Sequence, residues 1–162
     1  MYKIGDKIVY PMHGVGKINA IEKKAVLGVK KEYYLVTIDN SGMEAMIPVE
    51  KGDEIGIRPV ISKNEVKKVL NVIEKGESKI EDDWKLRYQN NIDKVKSGSI
   101  FQVAEVTRDL YKRGQGKELS IMERKLYENA YNLVVHEISL AKDIDLEDAG
   151  NMISESLSAA AN

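Results

Sequence analysis

The hydrophobic pattern of this chain changes period near residue 61, and that change limits the folds open to it. Before it, short runs rich in apolar, aromatic or β-branched residues are separated by turn residues such as those at 39–42, and the run at residues 17–22 alternates with the two-residue period of a β-strand. After it, apolar residues repeat at helical spacing, beginning with Ser62 and Glu65, which form the pattern of a helix-capping box. A strand-rich segment followed by a helix-only segment predicts an α+β protein of two domains.

The first domain, placed at residues 1–61, is predicted to be a small β-barrel of the SH3 or Tudor type, with a turn at residues 13–16. Its strands are expected at residues 7–10, 17–22, 32–38, 43–49 and 58–61. Pro48 in the fourth strand is typical of a sheet edge. Composition favours core positions for Met43 and Met46, although exposed methionines would suit an adaptable protein surface.

The second domain, placed at residues 62–158, is predicted to be all-helical. The first helix ends at Gly76, the second spans residues 84–96, and the third starts at Ser99 and breaks at residues 114–116. A long helix follows, starting with a capping box at Ser120 and Glu123. A short acidic helix at about residues 145–158 ends the domain.

The sequence contains no convincing motif for catalysis or metal binding. The chain has no cysteine, which excludes a disulfide framework and a thiolate zinc site. His13 and His136 fall in different predicted domains, so they form no catalytic pair. Residues 14–16 supply the first two glycines of a dinucleotide-binding motif, but the third glycine and the following helix of that motif are missing. The acidic residues at 143–147 are not followed by the central glycine of a calcium-binding loop. We therefore predict a non-enzyme with no cofactor, no metal and no small-molecule substrate.

Location and charge constrain the partners. No apolar run approaches the roughly 20 residues that cross a bilayer, and the first six residues lack the apolar core of a signal peptide. We expect a cytoplasmic protein with no membrane partner. The formal net charge is −1, so bulk electrostatics do not support tight binding to DNA by the chain alone. Any DNA contact would use a local patch and a partner that holds it in place.

The only tryptophan, Trp84, follows three acidic residues at the predicted start of a helix. A large ring flanked by charge is expected to be half exposed, and exposed tryptophan often marks a contact surface. Sequence alone leaves a second interpretation equally open, in which Trp84 is a hydrophobic staple or a lid over the helical core.

Basic residues occur near Trp84 and at two later points, and the predicted helix ends could bring them together. They are Lys85, Arg87, Lys112, Arg113, Lys117, Arg124 and Lys125. An apolar wedge beside cations suits the minor groove or a DNA fork, where a ring stacks while cations hold phosphates. The alternative is that these are solvated charges or complements to helix dipoles.

Three stretches of this sequence resemble the CarD/CdnL family of bacterial transcription regulators. They are residues 2–16, residues 83–88, and residues 103–113 with the following Leu119-Ser120. The resemblance covers about residues 1 to 158. The β domain also resembles the polymerase-binding domain of the transcription-repair coupling factor, a large protein that lacks this helical half.

The resemblance implies that the first domain binds the β subunit of RNA polymerase. It implies that the helical domain contacts promoter DNA in the minor groove at the upstream edge of the transcription bubble, without sequence specificity, and stabilises the open complex. The implied DNA-binding residues are Trp84, Lys85, Arg87, Tyr88, Lys112, Arg113, Arg124 and Lys125. The implied polymerase-binding residues are Lys24, Met46, Ile47 and Pro48.

Two positions depart from the family pattern. Leu86 replaces a basic residue, and Met46 replaces an arginine that some members carry. We expect a monomer. The alternative function is a protein-interaction adaptor of RNA polymerase that does not touch DNA.

Overall fold

The computed structural model describes residues 1–161. Contacts within the chain divide it into two compact units, residues 1–60 and residue 61 onward. The first unit is a five-stranded antiparallel sheet with two short helices, and the second is built from α-helices. The predicted α+β fold class, with strands first and helices after, is confirmed.

The strands of the first unit pair in the order β4-β3-β2-β1-β5, so β4 and β5 are the edges of the sheet. Their bounds are β1 Lys7–Tyr10, β2 Gly14–Val26, β3 Val29–Ile38, β4 Glu44–Pro48 and β5 Arg58–Pro59. A 3-10 helix at Val49–Lys51 and helix α1 at Gly52–Ile55 connect β4 to β5. Sequence reasoning did not predict these two short helices.

The core of this unit lies on one face of the sheet. Tyr34, Val36 and Ile38 alternate along β3 and are buried, as are Ile18 on β2 and Ile47 on β4. Period-two alternation therefore places one face of each strand in the core, as expected for a half-exposed sheet.

The turn predicted at residues 13–16 is wrong, because β2 already begins at Gly14. The chain reverses earlier, where Met12 takes a positive φ of 73°. Gly16 lies within the strand, and an added Cβ would stand 2.8 Å from Cγ1 of Val36. Glycine at position 16 therefore allows the close approach of the Val36 side chain on the neighbouring strand.

The second unit contains α2 to α6, and each predicted helix is present. Their bounds are α2 Lys63–Lys75, α3 Trp84–Lys96, α4 Ile100–Gly116, α5 Ile121–Lys142 and α6 Leu146–Ala161. Ser62, Ser99 and Ser120 each accept a hydrogen bond from the backbone three residues later, which confirms three predicted helix starts. The break predicted at residues 114–116 is confirmed, because α4 ends at Gly116. Residues 114–116 are exposed, so the weak helix propensity of the two glycines is not offset by burial there.

Buried Arg108 fixes the segment that leads into α3. Its Nη1 donates to the Val72 carbonyl at 3.0 Å and its Nη2 to the Glu77 carbonyl at 3.1 Å. The first carbonyl belongs to the last turn of α2, and the second to the polar connector at residues 76–83. Gly76 has no Cβ, and a Cβ there would overlap the Arg108 guanidinium. The connector is therefore tied to the helical core.

Candidate nucleic-acid interface

Trp84 is the first residue of α3, and its side chain is 53% exposed. Asp83 caps the helix, because its carboxylate accepts hydrogen bonds from the backbone of Lys85 at 3.0 Å and of Leu86 at 3.4 Å. The predicted half exposure of Trp84 at a helix start is confirmed.

The exposure of Trp84 follows from its place on the helix. The buried stripe of α3 consists of Arg87, Asn91 and Val95, spaced by four residues. Trp84 lies one turn before this stripe, at the edge of the core. About half of the indole thus remains open, which leaves little support for a role as a closed lid over the core.

A cation and a second apolar side chain lie next to Trp84. The Lys85 ammonium stands 5.8 Å from the centre of the Trp84 ring, and Leu86 is 48% exposed. Tyr88, one turn further, is partly buried. The first turn of α3 therefore presents a flat ring, an aliphatic side chain and one positive charge.

Arg87 requires a correction, because the structure buries it instead of presenting it to DNA. Its exposure is 7%, and its Nε donates to Oε1 of Glu123 at 2.8 Å. Its Nη2 lies 2.6 Å from the same oxygen, and its Nη1 donates to the carbonyls of Glu81 and Asp82 at 2.9 and 3.3 Å. The guanidinium is occupied within the unit, so Arg87 holds the helix start and is not a phosphate ligand.

Sequence reasoning missed the role of Glu123. The predicted capping box is half correct, since the Ser120 hydroxyl accepts from the Glu123 backbone at 3.1 Å. The Glu123 carboxylate, however, is 2% exposed, contacts Arg87, and lies 3.9 Å from Nε of Arg113. A glutamate three residues after a serine signals a cap, and nothing in the local sequence reveals a buried arginine partner.

The contacts of Glu123 bring three helix ends together. Arg87 comes from the start of α3, Arg113 from the last turn of α4, and Glu123 from the first turn of α5. We call these three residues the Glu123 junction. It confirms that the helix ends carrying the predicted basic groups converge.

The remaining predicted cations differ in their surroundings. Lys112 is partly exposed, and Lys125 is exposed. Arg124 is exposed and stands 3.6 Å from the Glu118 carboxylate, so its charge is partly balanced. Arg113 is mostly covered beside Glu123. Among the predicted cations, accessible positive charge therefore remains at Lys85, Lys112, Arg124 and Lys125.

The predicted polymerase-binding residues divide between the two faces of the sheet. Met46 pairs with Leu35 and Lys24 pairs with Lys31, so these side chains share the outer face, together with Pro48. Met46 is 46% exposed, and Met43 is 37% exposed, so the core positions that composition favoured are wrong. Ile47 points the other way and is 1% exposed, which removes its side chain from any docking surface.

The part of the chain that the structure describes shows neither a metal site nor a membrane-spanning helix. Among residues 1–161, no group of three or more His, Asp or Glu side chains could hold a metal ion. None of the helices described for the chain has the length and apolarity to cross a membrane. His13 contacts Tyr10 edge to face, and His136 Nδ1 lies 2.8 Å from the Asn132 carbonyl.

Comparisons with known proteins cover both units. The family model described as "CarD-like/TRCF RID domain" matches residues 2–61, and the one described as "CarD, C-terminal domain" matches residues 68–154. A Bacillus subtilis (strain 168) protein, "Putative transcription factor YdeB", is 42% identical over 144 residues, which cover 89% of this chain and 94% of that protein. The solution NMR structure of the 72-residue N-terminal domain of Myxococcus xanthus CarD is 34% identical, covers 36% of this chain and 79% of that domain, and has a TM-score of 0.32.

Proposed function

The chain belongs to the CarD family of transcription regulators, and from this premise we propose that it stabilises the open promoter complex by touching RNA polymerase and DNA together. In this proposal the outer face of the β sheet binds the polymerase β subunit. The first turn of α3 contacts the minor groove at the upstream edge of the transcription bubble. The observation that carries the proposal is the half-exposed Trp84 with the Lys85 ammonium 5.8 Å from its ring.

The near-neutral charge supports a role that depends on an anchor. With a net charge of −1, the chain gains little affinity for DNA from counterion release. Once one unit is held on polymerase, the other acts at an effective concentration of about the mM range, and a weak contact then suffices. The proposed polymerase surface contains Lys24, Met46 and Pro48, and excludes the buried Ile47.

Insertion of the Trp84 ring into DNA would shift the equilibrium between the closed and open promoter complexes. A ligand moves such an equilibrium only by its difference in affinity for the two states. A ring that stacks at a distorted duplex edge supplies this difference, and base–aromatic stacking contributes about 1–3 kcal/mol. The proposed DNA surface is Trp84 with Lys85, Tyr88, Lys112, Arg124 and Lys125. The Glu123 junction, which includes the mostly covered Arg113, supports it from below.

The test is Trp84→Ala in the full chain, with Leu86→Ala as a matched control, because Leu86 is similarly exposed on the same turn. Trp84→Ala should shorten the lifetime of the open complex by roughly 5- to 150-fold, as expected from the loss of stacking, and leave polymerase affinity unchanged. Trp84→Phe should retain part of the effect. An unchanged lifetime with Trp84→Ala would refute the wedge.

One observation favours a second candidate function. Leu86 stands exposed beside Trp84, and two neighbouring apolar side chains suit a protein groove. An adaptor of RNA polymerase without DNA contact would use this pair. Crosslinking of the helical unit to a forked promoter at increasing salt separates the functions: a salt-sensitive crosslink supports DNA contact, and no crosslink at any salt supports the adaptor.

A further inference from the structure

The hairpin of β2 and β3 projects beyond the core of its unit. The two strands pair up to Val26 and Val29, and a two-residue turn of Leu27 and Gly28 closes them. Residues 22–30 are all exposed, so the outer end of the hairpin contributes nothing to the core. We call residues 26–29 the tip. Its stability comes from strand pairing alone.

The tip combines two features that do not favour folding. Leu27 is 100% exposed, and Val26 and Val29 are 43% and 53% exposed, so three aliphatic side chains gain little from burial. Leu27 also has a φ of 54°, and Gly28 has a φ of 80°. A two-residue turn with both φ values positive is best served by Asn-Gly, because asparagine tolerates this conformation better than leucine. Strain held at an exposed apolar residue points to function at that residue.

Lysines lie behind the tip on both faces of the hairpin. Lys24 and Lys31 are paired across the strands on the outer face, and Lys23 and Lys30 lie on the opposite face. Lys24 stands 3.6 Å from Glu22 and Lys31 stands 2.7 Å from Glu50. Within residues 1–161, Lys23 and Lys30 have no ion-pair partner.

We propose that the tip is a second docking element for RNA polymerase, which inserts Leu27 into an apolar socket bordered by carboxylates. This inference rests on the proposed function. Val26 and Val29 share the outer face with Lys24, Leu35 and Met46, so the tip is continuous with the proposed polymerase surface.

The charge pattern distinguishes this partner from a polyanion. Glu32 is the cross-strand neighbour of Lys23, and the Glu22 carboxylate lies 3.6 Å from the Lys24 ammonium, so carboxylates are interspersed with the lysines on this hairpin. A membrane of anionic lipid or a nucleic acid would repel these carboxylates, whereas a protein can place discrete carboxylates opposite the lysines alone. An apolar centre with a charged rim is also the usual pattern of a protein interface.

The experiment uses Leu27→Asn in the full chain, because asparagine relieves the turn and removes the apolar contact. The thermal midpoint should equal or exceed that of the unchanged protein, while affinity for bacterial RNA polymerase core enzyme falls about tenfold, as expected from losing one buried leucine contact. The matched control is Ile4→Asn, which alters an apolar residue of the same unit that is 64% exposed and lies outside the hairpin. It should bind as the unchanged protein does.

The outcomes are separable. If Leu27→Asn binds polymerase with unchanged affinity, the docking element is refuted and the proposed function stands. If the unchanged protein does not bind polymerase, the proposed function fails, and this partner fails with it. Co-sedimentation with phosphatidylglycerol vesicles that is lost in Leu27→Asn would also overturn the proposal, because it would identify a membrane surface as the occupant.

Discussion

The Glu123 junction supplies the sharpest test of how the first turn of α3 is held. Glu123→Gln keeps the shape of the side chain and removes its charge. Arg87 would then remain buried with two backbone carbonyls, those of Glu81 and Asp82, and a neutral amide as acceptors. Removing one partner of a buried pair costs about 3–5 kcal/mol. Because the two carbonyls still offset part of the charge, we expect a loss of about 3 kcal/mol, near the lower limit of that range.

A matched control lies one turn away. Arg124 and Glu118 form an exposed ion pair at the start of the same helix, with side chains 55% and 89% exposed. Glu118→Gln should cost no more than about 1 kcal/mol, because water screens such pairs. The comparison isolates burial, since both substitutions remove one carboxylate charge.

The assay is urea unfolding of the full chain, followed by tryptophan fluorescence and by circular dichroism of the helices. Trp84 is the only tryptophan, so its emission reports on the first turn of α3 directly. A loss for Glu123→Gln that equals the loss for Glu118→Gln would refute the reasoning. A paired replacement of Arg87 and Glu123 by methionine should recover most of the stability, because apolar side chains of similar volume often replace a buried pair without loss.

Three further substitutions test the helical unit. Gly76→Ala should destabilise it by about 2–4 kcal/mol, because the new Cβ displaces the Arg108 guanidinium from the carbonyls of Val72 and Glu77. Gly116→Ala should stabilise this unit by up to about 1 kcal/mol, because an added Cβ meets nothing within 4 Å. Changes in the free energy of unfolding in urea that have the same sign for both substitutions would contradict this account. Burial, with the nearby Tyr131 and Tyr111, raises the pKa of Tyr127 from 10.0 to about 12. The folded state therefore holds this phenol proton more tightly than the unfolded state does. The resulting contribution to the free energy of unfolding is complete below pH 10 and is lost as the pH rises towards 12. Tyr127→Phe should therefore flatten the alkaline loss of stability in that window, and an unchanged pH profile of unfolding would count against it.

Local patterns predicted most of the secondary structure. The serines at positions 62, 99 and 120 satisfy backbone donors within their own turn, so the signal and the structure are both local. Aromatic and β-branched residues likewise identified the strand at residues 32–38, which lies within β3. The error at residues 13–16 concerns glycines, whose conformational freedom permits a turn or a strand, so that neighbours decide.

The candidate site was predictable only in part. Trp84 was recognisable because it is the only tryptophan and is flanked by charged residues, and both properties can be read directly from the sequence. Ile47 was placed on a contact surface by the family resemblance, and Arg87 by that resemblance and by its position beside Trp84. The structure buries both side chains, and this burial depends on residues that are distant in the sequence.

The sequence by itself thus determined the class of the molecule: strands then helices, where each helix of the second unit begins, and one tryptophan with cations near it. Tertiary structure alone decided which charges are accessible. Glu123 is 36 positions from Arg87, yet its carboxylate removes that arginine from the surface and sets the helix start that presents Trp84. Likewise, strand register alone placed Lys24 and Met46 on one face and Ile47 on the other. Periodicity is encoded by neighbours along the chain, whereas pairing and burial arise from contacts between distant segments.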